Sequence, residues 1–241
     1  PSALVAVETL VHRGLDSYKK NINKVITPSR FYLEKYVEWG WPREKLVYIP
    51  NYVDATKLSP QYEPGSYFLY FGRLSVEKGV PTLIKAASAA QIPLKIVGTG
   101  PDEAALKTLA QGLPGNIEFL GYRSGDDLHN LIRNSKAVIL TSEWYENAPM
   151  TVLESFALGK PVIGARIGGI PELVIDGETG WSFTSGNVPD LAQVLEQTNQ
   201  RSSVKLAAMG RAARDFVSSR FTRAKYLEAI LNVYSELGVS T

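Results

Sequence analysis

Between Tyr67 and Ala165, short β-branched or aromatic runs alternate with amphipathic runs of helical length, and no other feature narrows the possible folds so far. The spacing predicts strands at Tyr67–Phe71, Leu94–Val97, Ile117–Leu120, Ala137–Leu140 and Val162–Ala165. Helices are expected between them at Val80–Ala89, Asp102–Ala110, Ser124–Asn134 and Met150–Leu158. A strand, a helix and a second strand make a right-handed βαβ unit, so the series demands an α/β fold, a parallel sheet with helices on both faces. Open sheets of this kind bind ligands beyond the carboxyl ends of their strands. The segments that follow those strands are therefore where chemistry is expected.

The flanks divide the chain further. Residues 1–54 read as the end of a preceding domain: an amphipathic stretch to Lys20, a strand at Lys24–Thr27, a helix opened by Pro28-Ser29 and stopped by Gly40, and a strand at Val47–Ile49. Residues 55–65, punctuated by Pro64-Gly65, read as a linker, and 66–221 as the body of the α/β domain. Helices are expected at Ser203–Val217 and at Thr222–Leu237 within residues 222–241, the latter with an apolar stripe of Leu227, Ile230, Leu231, Tyr234 and Leu237 that needs a surface to bury it. The chain opens on Pro1 without a Met and is expected to be a piece of something longer.

A formal charge of +2 over 241 residues gives no bulk field toward nucleic acid or an anionic membrane. Aromatic residues are not interleaved with basic ones, so no nucleic-acid partner is expected. No apolar run approaches the roughly twenty residues that span a bilayer. The absence of cysteine excludes disulfides and thiolate metal sites and suits a reducing cytosol, so a cytoplasmic location is expected.

Within Ser142–Gly180, Glu146 and Glu154 stand eight positions apart on either side of Asn147-Ala148-Pro149. Proline tolerates the first helical position, so a helix is expected from near Pro149 to Leu158, stopped by Gly159. Glu146 then lies ahead of it and Glu154 one turn inside, with free backbone N–H groups at Met150 and Thr151. Two carboxylates around a helix N-terminus suit a ligand that carries sugar hydroxyls and a phosphate.

After the first strand, Gly72 lets a ligand approach the backbone, Arg73 offers a planar donor fork and Lys78 a compact charge. Such a loop holds a diphosphate and stabilises it as a leaving group without metal; the alternative is a solvated loop with Arg73 paired to Glu77. Gly98-Thr99-Gly100-Pro101 makes a tight turn and is no dinucleotide fingerprint, since Glu103 stands where glycine is required. Gly121-Tyr122-Arg123 presents backbone groups and a ring to a nucleobase, or simply turns the chain. Gly168–Glu172 and Asp176–Gly180 are expected turns of positive φ. His12 and His129 are expected to be exposed helix residues. No Asp-x-Asp pair is present to hold a divalent cation, and no metal or other cofactor is expected.

Taken together, Gly72–Gly79 (GRLSVEKG), the Glu146/Glu154 pair and Gly159–Gly180 (GKPVIGARIGGIPELVIDGETG) resemble the retaining glycosyltransferases of the GT-B fold, the large family four. Lys24–Asp54 is similar to that family's passage from acceptor domain to donor domain. The resemblance implies two Rossmann-like domains across a cleft, the C-terminal one binding a nucleotide-sugar donor, with UDP-sugar favoured over GDP- and ADP-sugar. It implies that Arg73 and Lys78 clamp the diphosphate, that Glu154 accepts the ribose hydroxyls, and that Glu146 faces the donor sugar near its reacting carbon. Backbone groups from Ala148 through Pro149 and Met150 to Thr151 would touch the sugar and the distal phosphate, and Tyr122 and Arg123 the base. The last helix is expected to cross back onto the acceptor domain. The acceptor, a growing glycan or a lipid, would bind to the missing N-terminal domain, through which the parent protein would reach the inner face of the membrane. Two departures stand out: Tyr52 occupies a linker position where the family usually carries glycine, and most of the acceptor domain is missing. The chain is thus expected to bind donor yet transfer sugar poorly, and the alternatives are a nucleotide-sugar-binding module without catalysis or a GT-B-fold epimerase.

Overall fold

The computed structural model describes residues 2–239. Along the chain run α1 (Ser2–Gly14), α2 (Ser17–Asn21), β1 (Val25–Thr27), α3 (Arg30–Glu38), β2 (Leu46–Tyr48), β3 (Tyr67–Phe71), α4 (Val80–Ala89), β4 (Leu94–Val97) and α5 (Glu103–Gln111). There follow β5 (Ile117–Gly121), α6 (Gly125–Arg133), β6 (Ser135–Leu140), α7 (Met150–Ala157), β7 (Val162–Ala165), β8 (Gly180–Phe183), α8 (Val188–Asn199), α9 (Ser203–Arg220) and α10 (Arg223–Glu236). β1 and β2 pair in parallel as a small separate sheet, Val25 opposite Leu46 and Thr27 opposite Tyr48. The other six strands form one parallel sheet in the order β5-β4-β3-β6-β7-β8.

That order sets the functional geometry. From β3 the chain steps outward to β4 and β5, and from β6 it steps the other way to β7 and β8. Right-handed crossovers in opposite directions place α4 and α5 on one face and α7 on the other. α4 packs on α5 and α8, and α7 on α9. A crevice opens at the carboxyl ends of β3 and β6, where the direction reverses. Because both faces are covered, the strands are apolar throughout, as in Phe68, Leu69 and Tyr70 of β3 and Val138, Ile139 and Leu140 of β6, all buried. Each such side chain contributes roughly 1.5–3 kcal/mol on leaving water.

Helix starts follow side-chain chemistry. Ser29, Asn187, Ser202 and Thr222 cap α3, α8, α9 and α10 by accepting from the backbone N–H three residues on. The sequence reading misses β8 and α8. The helix was legible: the Asn187 cap, Pro189 in the first turn and the stripe Val188, Leu191, Ala192, Leu195 mark it. Of the expected turns, Gly168 and Gly177 have positive φ, whereas Gly180 belongs to β8. The stripe on α10 is not covered: Leu227, Leu231, Tyr234 and Leu237 remain exposed, and Val233 is the buried residue.

The linker region does not hang free. The Gln61 N–H donates to Leu158 O at 3.0 Å, and Lys160 Nζ donates to Glu63 O at 2.6 Å. Arg214 of α9 donates to the carbonyls of Ala55, Leu58 and Ala157. α10 meets the N-terminal segment through the Tyr52 and Tyr226 rings, 5.0 Å apart, and through Lys24 Nζ, 3.2 Å from Glu236 Oε2.

Candidate active site

Two loops leave the carboxyl ends of the adjacent strands β3 and β6, and hydrogen bonds between them hold the crevice in shape. Thr141 Oγ1 donates to Lys78 O at 2.8 Å, the Glu143 N–H to Glu77 O at 2.9 Å, and Thr82 Oγ1 to Glu143 Oε1 at 2.6 Å. Gly79 makes this approach possible. Its φ is +62°, and a Cβ there would stand 2.2 Å from Thr141 O.

A cleft of about 500 Å³ opens beside these loops. Gly72 and Arg73 line it from β3, Gly98 and Thr99 from β4, Tyr122 and Arg123 from β5, His129 from α6 and Glu154 from α7. Arg73 is exposed, and among the described residues its guanidinium has no carboxylate partner. The Arg73–Glu77 ion pair considered from the sequence is not formed. Instead, Ser75 Oγ donates to Glu77 Oε1 at 2.5 Å, and this bond, ahead of the nearby cations, holds the Glu77 carboxyl below the usual range.

The Glu154 side chain projects from the second turn of α7, and its carboxyl makes no hydrogen bond among the described residues. Burial pushes its carboxyl above the ordinary carboxylate value, and the neighbouring His129 imidazole opposes that rise. His129 is partly buried, with Nδ1 3.8 Å from Asp126 Oδ1, and it faces the cleft. The expectation of an exposed helix residue is corrected here, since only the packing of α6 against the sheet aims its ring at Glu154. Gly98 and Thr99 were likewise read as a plain turn, although their place directly after β4 was a signal for the cleft.

The second pair of residues lies alongside. Glu146 Oε1 accepts from Lys78 Nζ at 2.5 Å and from Ser142 Oγ at 2.6 Å. With side-chain exposures of 27% and 17%, Lys78 and Glu146 are partly sheltered from solvent, so salt screens their pairing less than that of a fully exposed pair. Lys78, expected as a cation free for phosphate, is thus already engaged by the acid that was to face the sugar. α7 begins at Met150 behind Pro149, and the N–H groups of Met150 and Thr151 find no acceptor among the described residues. Ala148 is held by its carbonyl, which accepts from Asn51 Nδ2 at 3.0 Å. Tyr122 is 69% exposed at the mouth of the cleft, and Arg123 Nη1 donates to Tyr122 O at 2.9 Å.

Of the residues proposed from the sequence, Gly72, Arg73, Tyr122, Arg123 and Glu154 line this cleft, whereas Lys78, Glu146 and residues 148–151 are not among its lining residues. Chemically the cleft offers a guanidinium and a carboxylate, and the neighbouring loops an ammonium already paired with a second carboxylate and the start of α7. A separate cleft of about 610 Å³ beside Tyr18, Trp39 and Trp41 lies among the N-terminal helices. His12, expected to be exposed, is partly buried there with its ring 5.2 Å from that of Tyr18. Among the described residues no group of three or more His, Asp or Glu is placed to hold a metal ion, and no helix is long and apolar enough to cross a membrane.

An uncharacterized glycosyltransferase of Methanocaldococcus jannaschii is 29% identical over 221 residues, 90% of this chain and 60% of that protein. The lipopolysaccharide core biosynthesis glycosyltransferase LpsE of Rhizobium meliloti is 29% identical over 235 residues, 92% of this chain and 65% of its own length. HepE of Anabaena, crystallised with UDP and glucose, superposes with a TM-score of 0.79 at 26% identity, covering 89% of this chain and 63% of that one. The chain thus spans less than two thirds of each of these proteins. Its parallel sheet with flanking helices matches glycosyltransferase structures of the GT-B type. The family model described as glycosyl transferases group 1 matches residues 56–216, more than half of the chain and all of the loops that build the cleft, and the chain belongs to that family.

Proposed function

We propose that the chain is the donor-binding part of a retaining, metal-independent glycosyltransferase of family four. It would take a hexosyl group from a nucleotide diphosphate sugar and pass it to a growing glycan or a lipid. Residues 66–221 form the donor domain, 1–54 the end of the acceptor domain, 55–65 the linker, and 222–241 the helix that returns to the acceptor side. The observation that carries this reading is the convergence of Arg73 and Glu154 in one cleft, with the Lys78–Glu146 pair beside it, at the carboxyl ends of β3 and β6.

Arg73 and the N–H groups of Met150 and Thr151 point a guanidinium and a helix N-terminus toward where a diphosphate would lie. Glu154 accepts the ribose hydroxyls, and Tyr122 and Arg123 border the base. As the anomeric carbon–oxygen bond breaks, its electron pair passes to the departing diphosphate. Arg73, joined by Lys78 released from Glu146, stabilises that growing charge. Glu146 faces the sugar side and balances the positive charge on the ring. The acceptor hydroxyl then bonds to the anomeric carbon on the face the diphosphate left, and its proton departs with the leaving group. UDP-sugar is favoured as donor, supported by the crystal structures of Anabaena HepE with UDP and with UDP-glucose; GDP- and ADP-sugar are the alternatives.

Calorimetric titration of the 241-residue chain with UDP-, GDP- and ADP-glucose tests the reading. UDP-glucose is expected to bind most tightly and to be hydrolysed slowly in the absence of acceptor. Binding to none of the three would overturn it.

A further inference from the structure

The loop that carries Glu146 is held from two directions. From the donor sheet, the Gly169 N–H donates to Glu146 O at 2.7 Å. A Cβ on Gly168 would stand 2.3 Å from Glu146 O, and one on Gly169 would stand 1.9 Å from Asn147 O, so the two strips of backbone lie in direct contact. Three residues beyond Gly169, the same turn sends Glu172 away from the sheet. Glu172 Oε1 accepts from the Phe31 N–H at 2.7 Å and Oε2 from the Arg30 N–H at 3.0 Å, satisfying two free donors at the start of α3.

From the other direction, α3 reaches the same loop. Ser29, only 2% exposed, accepts from the Tyr32 N–H and donates its own hydroxyl to Asn147 Oδ1 at 2.6 Å. The Phe31 ring meets the Tyr145 ring edge-on at 4.8 Å. These contacts close a circuit that runs from Glu172 through the first turn of α3 to Ser29, on to Asn147 and Glu146, and back through Gly169 to Glu172. Neither the Lys78–Glu146 pair nor the cleft around Arg73 and Glu154 includes any member of the α3 side of this circuit.

We propose that this circuit is a latch, in which the seating of α3 on Glu172 sets the backbone at Glu146–Ala148 and makes Glu172 a positioning residue for the sugar end of the donor site. Breaking the latch frees the loop that presents Glu146 and leaves the nucleotide end intact. The choice of ligand rests on the donor reading above; the latch itself does not.

The latch can be read without any ligand. In the unliganded chain, Glu172→Ala should speed exchange of the Gly169 amide, which donates to Glu146 O, by roughly tenfold or more, with β3 and β6 unaffected. Glu172→Gln, which keeps the shape and one acceptor oxygen, should recover part of the protection. Unchanged exchange at Gly169 would overturn the proposal. Calorimetry with two ligands then separates positioning from plain stability. Glu172→Ala should bind UDP within about twofold of the parent chain but lose roughly tenfold for UDP-glucose. Equal losses for both ligands would make Glu172 a structural residue only and overturn the proposal. Ser29→Ala cuts the Asn147 arm together with the α3 cap while leaving Glu172 in place, and should reproduce the pattern, which keeps the test decisive if Glu172→Ala fails to fold. A parent chain that binds neither nucleotide would overturn the donor reading, and the exchange result would still decide the latch.

Discussion

Glu154 and Lys78 carry the sharpest consequences of the site at the scale of single residues. Burial raises the Glu154 carboxyl, so over the window between its unfolded and folded values the native state binds more protons and stability falls as pH rises, then levels off. In the proposed role, the ionised carboxylate is the better acceptor for two ribose hydroxyls. UDP affinity should therefore strengthen as pH climbs through that window, and in Glu154→Gln both the stability slope and the binding slope should vanish, measured by urea unfolding and calorimetry across the range. Removing the carboxylate should also weaken UDP by roughly tenfold or more, the usual effect of losing hydrogen bonds to a charged group. For Lys78→Ala in the full-length enzyme, turnover should drop by roughly 10²–10³, as when one stabiliser of a developing anion is deleted, while far-UV circular dichroism stays unchanged. Near-normal turnover would take Lys78 out of the chemistry. The places of Lys78 and Glu146 after β3 and β6 were legible in the sequence. Their mutual bond was not, because a 2.5 Å contact across sixty-eight residues depends on strand order alone.

Among the elements, α7 and α9 decide how the linker lies. Arg214 on α9 donates to carbonyls of the linker and to the C-terminal end of α7, the helix whose other end faces the cleft. Replacing it by Ala leaves the partly buried carbonyls of Leu58 and Ala157 without donors, while Ala55 O keeps the Leu58 N–H, and should cost about 2–4 kcal/mol in denaturant unfolding. Arg214→Lys should recover only a fraction, since an ammonium lacks the planar fork that serves several acceptors at once. Lys160 acts on the same segment from the start of β7. It is 1% exposed, and burial pulls its ammonium down to about 8 despite the opposing charge of Glu63. Between that value and the ordinary lysine range of about 10.4 the unfolded chain binds more protons, so stability should rise with pH across this interval. Unfolding curves of Lys160→Met should lack that rise. The buried role of Lys160 had no trace in the local pattern, because Gly159-Lys160-Pro161 reads as a solvated turn until the linker is laid over it.

For the molecule as a whole, donor binding to the native state alone should raise the melting point. At a ligand concentration of 100 Kd the gain is about 2.7 kcal/mol, or roughly 5–10 °C for a chain of this size, and a thermal shift that stays flat with UDP-glucose would count against the site. The sequence by itself determined the class of fold, because alternating strand and helix periods leave only a parallel sheet with covered faces. It determined too which candidate residues reach the carboxyl ends of the strands, since Arg73, Lys78, Glu146 and Glu154 all follow strands or open a helix. Tertiary structure alone decided which of these groups meet. The reversal of strand order between β3 and β6 brings Lys78 onto Glu146, the packing of α6 turns His129 toward Glu154, and the seating of α3 joins Glu172 to the Glu146 loop. Periodicity is a local property set by how each residue buries its neighbours, whereas these contacts depend on the relative placement of elements that no local period encodes.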